Sequence, residues 1–166
     1  MGTLVTAMMA GCREKIPERY QPFFDLSYRV RRDSLLGYPI EEQLNLYRIG
    51  MRVIRPPPLY LADDVAANGP TAIPPILARL RKVQDDSDRS DLILVLRSMV
   101  CLEGVDLRKQ PGTIDAIKEA IAVMRLGLYR QRAEEDLTTI TDGCVTQEAH
   151  AREKYDLLRH ADSSRR

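Results

Sequence analysis

Between Asp88 and Glu103 the chain carries Leu92, Ile93, Leu94, Val95, Leu96, Met99, Val100, Cys101 and Leu102, with only Arg97 and Ser98 between them. A helix that is apolar nearly all round is stable only when other elements enclose it, so this segment reads as the central, most buried rod of the fold. The polar run Gln84-Asp85-Asp86-Ser87-Asp88 supplies an N-cap for it and Gly104 stops it. Of 166 residues, 44% are apolar and 30% charged, the balance of a globular chain with a core of ordinary size. Two Phe and no Trp mean that the core is aliphatic.

Other segments repeat the helical period around that rod. Pro39 opens a helix with Glu41 and Glu42 near the positive end of its dipole, and Ile40, Leu44, Tyr47, Met51 and Ile54 share one face until Arg55-Pro56-Pro57-Pro58 ends it. A short helix from about Leu59 to Asn68 stops at Gly69. Pro74 and Pro75 fit the first turn of the next helix, which carries Ile73, Ile76, Leu77, Leu80 and Val83 on one face and Arg79, Arg81 and Lys82 toward its exposed end. Thr113 caps the longest expected helix, to about Glu135, along the stripe Ile114, Ile117, Ile121, Met124 and Leu128. A loop around Gly143 and a last helix over residues 146–160 follow. Residues 13–38, interrupted by Pro17 and Pro22, read as an irregular lead-in, and 161–166 as a disordered tail. No stretch sustains strand alternation. The expected class is all-α, with a helical domain of five to six helices over residues 39–160.

Leu61, Ala62, Val65, Ala66, Gly69, Ala72, Ile73, Leu77 and Leu80 form a short helix, a tight corner and a second helix, an arrangement that resembles a HEAT-type helical hairpin. A second hairpin falls on the 88–103 and 113–135 helices, so the resemblance covers residues 39–135. It implies a short helical stack that presents a surface to a partner; the alternative is an irregular helical bundle, because no clean period near forty residues recurs. At the N-terminus, the run Thr3-Leu4-Val5-Thr6-Ala7-Met8-Met9-Ala10-Gly11-Cys12 is similar to the end of a bacterial lipoprotein signal, in which the cysteine after the small residues is lipid-modified. That resemblance implies lipidation of Cys12 and a place in the cell envelope. Met9 stands where such signals usually have Leu, and no basic residue precedes the run; an upstream start would supply the missing charge and length. The alternatives are a frayed N-terminus and a cytoplasmic protein.

Cys101 and Cys144 stay open between two readings. In an oxidising compartment they can form a disulfide closing about forty residues, and in the cytosol they are buried thiols. Reactive chemistry finds little to stand on. His150 and His160 lie about 15 Å apart along one helix and cannot share an ion, and Asp86-x-Asp88-x-Ser90 lacks the glycine and the terminal glutamate of a calcium loop. No phosphate loop or nucleophile elbow occurs. The 25 basic and 24 acidic residues leave no basic excess for nucleic acid. Basic residues do outnumber acidic ones over residues 13–55, and there Tyr28, Arg29, Arg31 and Arg32 form the candidate protein-contact surface, since Tyr and Arg are enriched where binding energy concentrates. The structural alternative has tyrosines packing the lead-in while the arginines stay solvated. The expectation is a non-enzymatic protein-binding module of the envelope, with an inhibitor, immunity or scaffold role, no cofactor, no metal and no membrane contact beyond the lipid. The rivals are a cytosolic adaptor and an enzyme with a non-local site.

Overall fold

The computed structural model describes residues 15–144. Among them are eight α-helices: α1 (Gln21–Asp25), α2 (Tyr28–Leu35), α3 (Ile40–Val53), α4 (Tyr60–Ala66), α5 (Ile73–Leu80), α6 (Asp86–Glu103), α7 (Thr113–Ala122) and α8 (Gly127–Asp142). Three short 3-10 turns join them, and no strand occurs among the described residues. The class is all-α, a helical bundle.

The central rod is α6. Asp85 caps it, its carboxylate accepting from Ser87 N at 2.9 Å and Asp88 N at 3.2 Å, and Gly104 ends it in the left-handed region at φ 67°. Ile93, Val95, Leu96 and Met99 are wholly enclosed. The helix packs most extensively against α8 and α4, while α3, α5 and α7 close the remaining sides and α5 and α7 also touch each other. Helix α8 runs parallel to α6. The start of α8 meets Asp86 at the start of α6, and Cys144, just past the end of α8, is disulfide-bonded to Cys101 near the end of α6, with Cα atoms 5.5 Å apart. Of the two cysteine readings, the bonded one is the structure.

Helix α3 approaches α4 closely at Gly50. A Cβ there would lie 2.9 Å from Leu61 Cδ1 and 3.2 Å from Pro58 Cγ. Gly50→Ala pushes the flexible end of Leu61 and crowds the Pro58 ring, and the better helix propensity of alanine offsets part of that strain. Gly50→Val adds two methyls to a filled space and is expected to destabilise by about 1–3 kcal/mol. Thermal melts of the two variants check this, and a valine protein as stable as the alanine one would refute the close packing.

Three expectations need correction. The lead-in is not irregular: Pro22 occupies the first turn of α1 and Pro17 precedes the turn Glu18–Tyr20, so both prolines start helical segments at positions where no intrahelical donor is needed. The long helix over 113–135 does not exist. Its stripe is cut at Val123–Leu126, where the Asp86 carboxylate accepts from Arg125 N at 2.8 Å and Leu126 N at 2.9 Å. The reversal returns Ala133 and Ile140 to the core and leaves Leu128 76% exposed. The expected loop after Thr138 is helical as far as Asp142: the hydroxyls of Thr138 and Thr139 are satisfied within the helix by the carbonyls of Glu134 and Glu135, and Ile140 is buried there. Two helices in the lead-in, α1 and α2, and the division of the 113–135 stretch into α7 and α8 bring the number among the described residues to eight. Cys12, the 146–160 helix with His150 and His160, and the 161–166 tail lie outside the described residues.

Candidate protein-contact surface

Helix α2 carries the tyrosine and arginines singled out in the sequence, and its periodicity divides them. Residues 28, 31, 32 and 35 fall on one face, which α2 turns toward the body of the protein. Leu35 is wholly buried there. Arg31 reaches inward: Nη1 donates to Tyr60 Oη at 2.9 Å, and Nη2 donates to the carbonyls of Phe24 at 2.6 Å and Leu26 at 3.0 Å. Its guanidinium also lies near the rings of Phe23 and Phe24. Arg31 therefore holds α1, α2 and α4 together. Arg32 Nε donates to the buried carboxylate of Asp64 at 2.8 Å, a short charge-assisted bond between α2 and α4. Both arginines are structural links in addition to being surface neighbours.

Tyr28 behaves differently. Its ring meets that of Tyr60 edge-on with centroids 4.5 Å apart, which holds one side of it in place, yet 47% of the residue remains exposed. Arg29 and Val30 face outward beside it, and Leu59, next to Tyr60, is 54% exposed. At the far end of α2, Leu36 and Tyr38 are also exposed, with Tyr38 packed edge-on against Phe23 at 5.9 Å. The result is an aromatic and aliphatic surface whose rings are held by neighbours, with one basic side chain in its midst. Sequence reasoning did not find Leu59, Leu36 or Tyr60. The only local sign was the proline run before Leu59, which keeps the chain from continuing α3.

A second polar region runs along α6, from exposed Asp85 to buried Asp88 and Asp91. Arg52 Nη2 lies 2.9 Å from both Asp85 and Asp88, Arg89 pairs with Asp86 at 2.9 Å, and Ser98 Oγ donates to Asp63 at 2.8 Å. Toward α8 the pairs are looser: Arg132 is 3.5 Å from Asp91, and Arg97 is 3.6 Å from Asp136. Burial pushes the carboxyls of Asp63 and Asp136 up, and that of Asp91 up to about 6. Tyr47, wholly buried on α3, donates to the Asp91 carbonyl at 3.0 Å. Asp91 also borders a shallow cleft between α3, α5 and α6 with Leu44, Val83 and Leu92. Among the described residues no group of three or more His, Cys, Asp or Glu is placed to hold a metal ion, and no helix is long and apolar enough to cross a membrane.

Comparison with protein-family models, with curated proteins and with solved structures gives no match.

Proposed function

We propose that the protein is a non-enzymatic binding module of the bacterial cell envelope, tethered through a lipid on Cys12, that docks a protein partner on the surface around Tyr28, Arg29 and Leu59 in an inhibitor, immunity or scaffold role. The observation that carries the reading is the exposure of Tyr28, Val30, Leu36, Tyr38 and Leu59 on elements that Arg31 and Arg32 hold in place. Large side chains already ordered before binding lose little entropy when a partner covers them, which is where affinity concentrates. The Cys101–Cys144 disulfide supports an oxidising compartment over a cytosolic adaptor, because cytosolic thiols are kept reduced. A HEAT-like stack finds support in the parallel register of α6 and α8, whose paired residues Arg97 and Asp136, and Asp91 and Arg132, lie about forty positions apart.

Two measurements test the proposal. Fractionation with mass spectrometry of Cys12 is expected to find the full chain in the envelope with an acylated cysteine; unmodified protein in the cytosol would end the envelope reading. Photo-crosslinking side chains placed at Tyr28 and Leu59 should capture one protein of defined mass in cells, while the same group at exposed Glu119 on α7 should not. Leu59→Asp is expected to weaken that capture at least about tenfold. Equal labelling at all three positions would remove this surface as the contact.

A further inference from the structure

Helix α8 is held to the body of the protein in an unusual way. Of its sixteen residues only Ala133, Asp136 and Ile140 are fully buried, with Leu137 partly buried against the core, so a carboxylate sits in the middle of a short apolar face. Two of its ionic links to α6 are long ones. Arg132 to Asp91 and Arg97 to Asp136 span 3.5 and 3.6 Å, against 2.8 to 2.9 Å for the pairs that tie α2 to α4 and α3 to α6. In the same seam the second oxygen of Asp136 and the hydroxyl of Ser90 are buried with no hydrogen-bond partner among the described residues. A buried carboxylate with an unmade bond opposes docking. The contact is extensive but its middle is rich in buried polar groups, and α8 is also secured at its ends, by the Asp86 carboxylate on Arg125 N and Leu126 N at one and by Cys101–Cys144 at the other.

The other helices have their own contacts with α6. Helices α3, α4 and α5 enclose α6 with side chains such as Leu44, Leu61, Val65 and Ile76, all essentially inaccessible to solvent. Both cysteines are only half-buried.

We propose that the Cys101–Cys144 disulfide is a latch whose reduction by a dithiol releases α8 from α6 while α2 to α6 stay folded, uncovering the side of α6 that bears Ser90, Leu94 and Arg97. In the reaction one thiolate of the dithiol attacks a cysteine sulfur, the S–S bond breaks and a mixed disulfide forms. The first attack releases one cysteine as a thiolate, and the second thiol of the dithiol then attacks the dithiol's own sulfur in the mixed disulfide and displaces the cysteine held there. The dithiol ends oxidised, and Cys101 and Cys144 take up its two electrons and two protons. The device is independent of which partner occupies the α2 surface. It adds a redox-controlled second face that the oxidised protein keeps closed.

Amide hydrogen exchange on the full chain, read by mass spectrometry with and without dithiothreitol, tests this. Peptides covering residues 127–142 are expected to exchange roughly 100-fold or more faster after reduction, the scale of a bond that closes about forty residues, while those of α3 and α4 change less than about threefold. Simultaneous loss of protection in every helix would make the disulfide a global staple and overturn the proposal. Unchanged protection of α8 would overturn it too, by showing that side chains alone hold the helix. A variant with an apolar seam, Arg97→Leu with Asp136→Leu, separates the causes. With its oxidised form protected like the wild type, α8 should stay protected on reduction to within about tenfold, and a release as large as the wild type's would refute the polar seam as the reason.

Discussion

Replacing Asp91 by asparagine (Asp91→Asn) is expected to stabilise the protein by up to about 3 kcal/mol at neutral pH and by almost nothing near pH 4. Burial is the main cause that lifts this carboxyl from its ordinary 3.8 to about 6, with Asp88 and Asp85 adding to it and Arg132 and Arg52 opposing it. Where the folded and unfolded chains are both ionised, that difference weakens folding by about 3 kcal/mol. The direction follows from which state holds the proton. Below about pH 4 both states are protonated and nothing is lost. Between about pH 4 and 6 the folded chain keeps a proton that the unfolded chain releases, so this group lowers stability as the pH rises. Above about pH 6 the deficit is constant. The neutral amide removes the titration and can still accept from Arg132, whose side chain is about one-third exposed and reaches water. Urea unfolding of both proteins at pH 7.5 and pH 4 measures the effect. An equal difference in midpoint at the two values would mean that the carboxyl does not change state on folding.

A second large effect is expected from Leu96→Ala, a loss of about 2–5 kcal/mol. Leu96 is wholly enclosed in the middle of α6, and truncation there removes apolar burial and leaves a cavity that surrounding helices fill only in part. The informative control is Leu128→Ala. In the sequence Leu128 continues the stripe of Ile117, Ile121 and Met124, and a continuous helix would bury all four. In the structure it is 76% exposed, so its truncation is expected to change stability by no more than about 0.5 kcal/mol. Comparable losses at the two positions would restore the unbroken helix over 113–135 and contradict the turn at Val123–Leu126.

That contrast marks how far local reading goes. The central helix, its cap at the 84–88 loop, its stop at Gly104 and the helical class all follow from residues a few positions apart, because capping, turn chemistry and the helical period are interactions of near neighbours. The break after Ala122 depends on Asp86, which lies 39 residues from the amide it accepts. No window of sequence around Val123 contains that carboxylate. The candidate surface divides the same way. Tyr28 and Arg29 were legible as types suited to contact, whereas the inward turn of Arg31 and Arg32 depended on Tyr60 and Asp64, 29 and 32 residues away.

Composition and spacing were thus sufficient to specify helices, their approximate ends and the segment that must lie innermost. Only the folded chain could decide that Cys101 and Cys144 meet, that α8 runs parallel to α6, and which arginines are drawn inward. Each of those outcomes is a contact between segments far apart along the chain, and its energy exists only once the helices have packed.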